Sequence, residues 1–319
     1  MSIIFLYLIK PFLKNNVLPV NLLNKYIMKS KILLFGLFLT LMTIGCSKND
    51  ETDNSTITAE EAGINAKINV ENDDVYNIVD NQYENIDSNT LSYKSSSSGE
   101  SFLSTCATIT RVPAFGTALT VGQTVTKTID FGTTGCTINN GNVLKGKIII
   151  SFVYDPNATS HTIHCTFDNF YHNLRKVEGT KTFTRTMTVA TTASPSHPVW
   201  VMNMNLTITL PDGRVFTRIG TRTSEIIAGY NTSSWTDNVY SVTGNWTTTF
   251  PNTVTQTSTI TSPIIIKLAC IPTNSSLSQG VITFVRNSHV ATLDYGNGDC
   301  DNIAIFTING VSYTIVLGN

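Results

Sequence analysis

Residues 206–214 read LTITLPDGR, and this stretch decides the fold. Apolar and threonine residues alternate strictly from Leu206 to Leu210, which is the period of a β-strand with one buried face. Pro211-Asp212-Gly213 then supplies the residue types of a tight turn. An alternating run that ends directly in a turn indicates antiparallel β-structure that reverses at short spacing.

The same pattern extends over most of the chain. Runs rich in Thr, Val and Ile recur from residue 107 to residue 317, separated by turn signals such as Asn309-Gly310. About fourteen strands fit these runs, with 252–261 and 263–270 counted as two of them. We therefore predict an all-β domain over 101–319: an extended antiparallel meander sheet, curved or half-barrel-like, with a β-sandwich as the alternative.

The N-terminal part has the layout of an export signal. Residues 28–31 carry two lysines, residues 32–44 carry no charge, and Gly45 precedes Cys46. The sequence Thr43-Ile44-Gly45-Cys46 resembles a bacterial lipobox, which implies cleavage of the signal peptide 28–45 and acylation of Cys46, with palmitate on its thiol. A transmembrane anchor is the alternative, but the uncharged stretch is shorter than the roughly 20 residues that a spanning helix needs.

The start of the translated protein follows from the same signal. An export signal begins near its basic region, so we expect Met28 to be the start. Residues 1–27 are then a misassigned upstream stretch, and they take no part in the fold.

Charge is unevenly distributed over the exported chain. Residues 46–100 hold twelve acidic and three basic residues, whereas 101–319 hold ten acidic and thirteen basic ones. The acidic block reads as too polar to build a core, which indicates a tether. The near-neutral body has no basic run, which argues against a nucleic-acid partner.

Two features lie within this acidic tether. Ser47-Lys48-Asn49-Asp50-Glu51 resembles the short acidic signal that directs lipoproteins of the Bacteroidota type to the cell surface; a solvated spacer is the alternative. Thr58-Ala59-Glu60-Glu61 matches a capping box. A short amphipathic helix is predicted near 72–87 and is expected to dock on the β domain, because it is too short to be stable alone. Its apolar face is Val75, Ile78, Val79, Tyr83 and Ile86.

The two ends of the β domain repeat each other, as modules 106–152 and 270–316. Cysteines, glycines and an Asp-aromatic-Gly turn recur at identical offsets: Cys106 with Cys270, Gly116 with Gly280, Asp130-Phe131-Gly132 with Asp294-Tyr295-Gly296, Cys136 with Cys300, and Gly146 with Gly310. The four cysteines allow three pairings. Pairing Cys106 with Cys136 and Cys270 with Cys300 keeps each disulfide inside its own module, and an exported protein retains such bonds. Cys165 is left over and is expected to be a buried small hydrophobe.

Several stretches together are similar to one abundant family of uncharacterised secreted or outer-membrane lipoproteins of Bacteroidota. They are 130–136, DFGTTGC; 146–150, GKIII; 177–182, VEGTKT; 210–214, LPDGR; 221–225, TRTSE; and 294–302, DYGNGDCDN. The resemblance implies an outer-membrane, lipid-anchored protein, expected at the cell surface. The family brings no established activity.

The motif inventory favours binding over catalysis. The sequence has no Gly-x-Ser-x-Gly elbow, no phosphate-binding loop and no His-Glu-x-x-His helix. The predicted function is a membrane-anchored binding or scaffold module for a glycan, protein or lipid. A carrier of lipid or another apolar ligand is the alternative, and a hydrolase is the least favoured reading.

Three groups of residues are candidate sites. Arg214, Arg218 and Arg222 alternate along one strand face, which suits an anionic glycan or lipid head group; a solvated face is the alternative. Asn297, Asp299 and Asp301 are oxygen ligands with Ca²⁺-like spacing, with ordinary turn chemistry as the alternative. No other metal or cofactor is predicted. Five aromatic residues are expected to form either a platform on which sugars stack or part of the hydrophobic core: Trp200, Trp235, Trp246, Tyr230 and Tyr240.

Overall fold

The computed structural model of the protein describes residues 56–86, 103, 105–192, 194–232, 234–273 and 275–317. The predictions for the upstream stretch, the signal peptide, the lipidated Cys46 and the acidic signal after it lie outside the described residues.

The described residues form one long helix, fourteen strands and a 3₁₀ helix. The helix α1 is Ala59–Glu84, and the 3₁₀ helix is Leu268–Thr273. The strands are Thr108–Val112 (β1), Thr124–Asp130 (β2), Cys136–Thr137 (β3), Val143–Val153 (β4), Ser160–His172 (β5), Arg175–Met187 (β6), Pro198–Thr209 (β7), Val215–Ala228 (β8), Val239–Thr249 (β9), Thr255–Lys267 (β10), Leu277–Arg286 (β11), His289–Asn297 (β12), Ile303–Ile308 (β13) and Val311–Val316 (β14).

The strands make a single open antiparallel sheet in which nearly every strand pairs with the next one along the chain. The exception is the two-residue β3, which pairs only with β4, so that β2 and β4 are neighbours. The prediction of an all-β meander is confirmed. The runs 252–261 and 263–270 belong to one strand, β10, whose pairing with β11 shifts register between Ile260 and Ile266. Pro263 lies at this shift in register and has no N–H to donate to a neighbouring strand, so the sequence around it resembles the end of a strand.

The helix α1 is buried along almost its whole length. It begins at the predicted capping box: the Glu61 N–H donates to Thr58 Oγ1 (3.2 Å), and the Thr58 N–H donates to Glu61 Oε2 (3.0 Å). The helix starts at Ala59, 13 residues before the predicted start at 72, and it ends at Glu84. The predicted apolar face is partly right, since Val75, Ile78 and Val79 are fully buried.

The sheet curves around this helix. Lys127 on β2, beside the first edge strand, donates from Nζ to the carbonyl oxygen of Gln82 (3.0 Å). Lys181 on the central β6 pairs with Glu71. On β14, the last strand, Ile315 lies 4.0 Å from where a Cβ on Gly63 would stand. One helix contacts strands near both ends and in the middle of the sheet, so the sheet must wrap it.

The tether prediction was therefore wrong for residues 59–84. This acidic segment lies in the core, in the same compact unit as the sheet, which runs from Asn54 to Asn319. A charged segment normally stays in solvent because burying an unpaired ion is costly. Here the compensating cations stand on strands that lie far along the chain, where a local reading of the sequence does not find them.

Both predicted disulfides are present. The Cα atoms are 5.6 Å apart for Cys106–Cys136 and 5.0 Å apart for Cys270–Cys300, and Cys165 is free and buried. The turns after β2 and within β12 also match, because Asp130 and Asp294 each accept a hydrogen bond from the N–H two residues on (2.8 and 2.9 Å). The strands repeat only in part: β12 stands at the position of β2, but β1 starts two residues after Cys106, whereas Cys270 lies inside the 3₁₀ helix. The modules share their covalent and turn chemistry more fully than their strands.

Candidate functional site

Charged pairs fill the space between α1 and the concave face of the sheet. They join one helix side chain to one strand side chain: Glu71 to Lys181 (2.8 Å), Asp73 to Arg222 (2.8 Å), Asp74 to His172 (2.7 Å) and Glu61 to Arg286 (3.0 Å). Burial raises the pKa of Asp73 to about 6, although Arg222 opposes the shift. The concave face is thus occupied by the helix and its ion pairs.

The predicted arginine row belongs to this interior. Arg218 is fully buried and donates from Nη1 to Asn69 Oδ1 (2.9 Å), and burial lowers the pKa of its guanidinium to about 9. Arg222 pairs with Asp73, and only Arg214 is substantially exposed, where it contacts Glu60 and Asp212. This corrects the expectation of a solvent-facing row. Alternation shows that the three share a face, but it does not show that a helix covers that face.

The predicted Ca²⁺ loop shows turn chemistry. Asp301 Oδ1 accepts a hydrogen bond from the N–H of Ile303 (3.1 Å), and the Lys267 ammonium donates to the carbonyl oxygen of Gly298 (2.6 Å). A positive charge already neighbours this loop, which is unfavourable for a second cation. Asn297 and Asp299 flank that glycine. Within the described ranges, no group of three or more His, Cys, Asp or Glu residues is arranged to hold a metal ion.

The aromatic residues divide into two sets. Trp200, Trp246 and Tyr240 are buried. The rings of Trp200 and Tyr240 each pack against the Tyr76 ring in an edge-to-face arrangement. Tyr230 is half-buried and Trp235 is buried, and both line a surface cleft together with Tyr240. The core reading holds for all of these residues except Tyr230, which marks the candidate site.

This cleft, called the Tyr230 cleft from here on, is shallow: its free space of about 30 Å³ has room for about two water molecules, and the rest of it is open to solvent. Its first wall is the last part of α1, where Tyr76, Asp80 and Glu84 recur every four residues and so share one helix face. Its second wall is the loop 229–238 between β8 and β9. The remaining lining comes from the adjacent strand ends and the residue after the helix: Asn85, Pro198, Ile226 and Tyr240.

The loop wall is held in shape by local hydrogen bonds. The Thr232 hydroxyl lies 3.0 Å from the Gly229 carbonyl oxygen and 2.9 Å from Asp237 Oδ1. Asn238 donates to the Tyr240 hydroxyl oxygen (3.2 Å), which ties the loop end to the floor of the cleft. Gly229 has a positive φ, and a Cβ there would stand 2.6 Å from the backbone of Asn238, so a side chain would push the two loop ends apart.

The electrostatics of the cleft are governed by two carboxylates and one guanidinium. Arg185 on β6 pairs with Glu84 and lies over the rings of Tyr83 and Trp200, 5.7 and 5.8 Å from their centroids. Burial disfavours its charge, but Glu84 and Asp80 outweigh this effect, so the pKa of Arg185 is raised. Burial and Glu84 also raise the pKa of Tyr230, which keeps its hydroxyl neutral. The cleft therefore offers acidic oxygens beside neutral phenol groups.

A second hollow lies on the other side of the Glu84–Arg185 pair. It has a volume of about 220 Å³ and includes the side chains of Tyr83, Phe152, Tyr154 and His161. The Tyr83 ring meets Phe152 edge-on, with 5.1 Å between centroids. Two aromatic-lined hollows thus adjoin at the C-terminal end of α1.

Sequence reasoning missed the acidic wall of the site. Asp80 and Glu84 stood in a segment read partly as a tether, so no role was assigned to them. The sequence did carry a signal for them: Asp80 and Glu84 are four residues apart near the end of a capped helix, and Tyr76 lies four residues before Asp80, so all three share one helix face. Tyr230 and Trp235 had been named, but only among a larger set of aromatics.

No helix in the described part of the chain is long and apolar enough to cross a bilayer. Comparisons of the chain with protein-family models, curated proteins and solved structures found no match.

Proposed function

We propose that this protein is a membrane-tethered binding module that holds a hydroxyl-rich ligand, an oligosaccharide, across the open mouth of the Tyr230 cleft. The observation that carries the proposal is the lining of the cleft, which combines aromatic rings with carboxylate, amide and hydroxyl groups. Sugars present hydroxyl donors at their edges and C–H groups on their faces. Carboxylate oxygens accept from the former, and aromatic faces pack against the latter.

The adjoining hollow supports a ligand of more than one sugar. The Tyr230 cleft and the hollow beside Tyr154 share Glu84 as a lining residue. A chain of sugars that lies across the end of α1 would rest one unit against the rim of each.

The alternative function, transport of a lipid or another apolar ligand, requires an open apolar concave face. In this fold α1 and its ion pairs occupy that face, so a carrier would first have to release the helix and separate several buried charges. The proposal includes no reaction. Glu84, the more exposed carboxylate of the cleft, is held by Arg185, and the sequence contributes no nucleophile motif.

We further propose that Cys46 anchors the protein by its lipid, at the outer membrane and facing outward. A binding module at the surface of the cell meets polysaccharides directly, which fits the ligand class proposed for the cleft. The evidence for the anchor is the lipobox-like sequence before Cys46.

The binding proposal predicts that Tyr230→Ala lowers oligosaccharide affinity at least about tenfold, which corresponds to about 1.4 kcal/mol. The reason is the loss of the exposed ring against which a sugar face packs. The protein to use is the chain from residue 46 with Cys46→Ser, because α1 is part of the fold. A glycan array identifies ligands, and titration calorimetry measures the affinities.

The matched control is Tyr313→Ala, which removes a tyrosine that is 45% exposed on β14 and does not line the cleft. It should leave both affinity and melting temperature close to those of the parent. Failure of every array glycan to bind, or equal affinity of the Tyr230→Ala variant, would count against the proposed function. Co-purified lipid found by mass spectrometry would instead favour the carrier.

The anchor proposal predicts that Cys46→Ser abolishes labelling by a palmitate analogue. The variant should also appear in the soluble fraction or keep its signal peptide, because no thiol remains to be acylated. Cys165→Ser, which alters the buried free thiol, should label like the wild type. Equal labelling of the Cys46→Ser protein would disprove lipidation at this residue.

A further inference from the structure

A third cavity, lined by buried side chains, lies between α1 and the strands β7 to β10. Both it and the Tyr230 cleft are bordered by Tyr76. Side chains from the helix and from four strands line it: Asn72, Asp73 and Tyr76; Trp200 and Met202; Arg222 and Ser224; Val242; and Ile266. The cavity therefore belongs to the helix–sheet junction.

Five of these side chains carry polar atoms with no hydrogen-bond partner among the described residues. They are both amide atoms of Asn72, Oδ2 of Asp73, Nη1 of Arg222, Nε1 of Trp200 and Oγ of Ser224. All five residues are more than nine-tenths buried, and Asn72 is fully buried. The other oxygen of Asp73 and the other terminal nitrogen of Arg222 pair with each other at 2.8 Å.

Buried polar atoms in native proteins are satisfied almost without exception, by protein groups or by ordered water. A cavity with polar walls and room for a water molecule is the setting in which water fulfils that role. The free space here takes about one or two water molecules, and it is too small for a sugar or another organic ligand.

The mixture of donor and acceptor atoms in this cavity also restricts which ligand can bind there. Three of the unpartnered atoms are donors, on Asn72, Arg222 and Trp200, two are acceptors, on Asn72 and Asp73, and the Ser224 hydroxyl can do both. An anion would meet the Asp73 carboxylate, and a cation would meet the Arg222 guanidinium. Water both donates and accepts, so it alone can serve both sets of atoms.

We propose that this cavity is a binding site for ordered water, which joins α1 to the sheet through Asn72, Asp73, Trp200 and Arg222. The site gives a reason for a fully buried asparagine in the middle of the helix. It also extends the ion pair between Asp73 and Arg222 into a network that spans β7 and β8.

The test is the direction in which Asn72→Leu shifts the melting temperature. Leucine has the same number of side-chain heavy atoms and the same branching as asparagine, but it is the larger residue and has no polar atoms. A fall in melting temperature therefore supports the site only together with the crystal structure described below. If water occupies the site, leucine removes its helix anchor and leaves Asp73, Arg222 and Trp200 unsatisfied, so the melting temperature falls. If the cavity is dry, the substitution removes two unsatisfied atoms from the core, and the melting temperature rises.

Met202→Leu is the control, because it alters an apolar wall of the same cavity at similar volume and should shift the melting temperature little in either case. A high-resolution crystal structure of the unaltered protein gives an independent answer, also if the Asn72→Leu chain does not fold. Electron density for water within hydrogen-bond distance of at least two of the side chains of Asn72, Asp73, Trp200 and Arg222 supports the site. An empty cavity, another molecule in it, or a higher melting temperature for Asn72→Leu overturns the proposal.

Discussion

Lys181→Met is expected to lower the free energy of unfolding by about 3–5 kcal/mol, the usual effect of removing one partner of a buried ion pair. Lys181 Nζ lies 2.8 Å from Glu71 Oε1, and the two side chains are 0% and 2% exposed. Without the ammonium, the Glu71 carboxylate must stay charged in the core or take up a proton. Urea unfolding followed by circular dichroism measures the loss.

Two comparisons separate this effect from loss of packing. The double variant Lys181→Met with Glu71→Leu replaces both charges by apolar groups and should recover most of the lost stability. The exposed pair Lys176–Glu178 has the same 2.8 Å separation, and Lys176→Met should change the free energy by less than about 1 kcal/mol. Equal losses for the two lysines would mean that burial does not set the strength of the pair.

Removing the Cys270–Cys300 disulfide with two alanines is expected to lower the free energy of unfolding by about 3–4 kcal/mol. The bond joins residues 30 apart, and cross-linking a loop of that length restricts the unfolded chain. Non-reducing peptide mapping should first show this bond and Cys106–Cys136, with Cys165 free.

The Cys106–Cys136 pair is a matched control because it has the same sequence separation of 30. On the loop-closure account, its removal should cause a loss of similar size. A much larger loss for one pair would show that its bond also supports native packing. A bond between the modules, such as Cys106 with Cys300, would refute the predicted pairing.

Local patterns were enough to predict most of the sheet. Alternation as in 206–210 and turns such as Pro211-Asp212-Gly213 depend on neighbouring residues, so they can be read along the chain. The disulfides could also be predicted, because the two modules repeat their cysteines and glycines at the same spacing.

The rest depended on contacts between distant residues. The acidity of 59–84 looked like a tether because the matching Lys181, Arg222 and Arg286 are about 100 to 230 residues away from their helix partners. For the same reason, the arginine row could not be assigned to the covered face. The Tyr230 cleft exists only where the loop 229–238 meets the end of α1, and no local pattern joins these two segments.

The enclosure of α1 also affects the time course of folding. The helix is synthesised before every strand of the sheet, yet Arg286 on β11 donates to the carbonyl oxygen of Thr56, which is 230 residues earlier. Contacts between such distant residues slow folding, because a long loop must close before they form. An acidic helix is also weakly stable alone in water. We therefore expect α1 to become permanently ordered only late, after most of the strands that surround it have been synthesised.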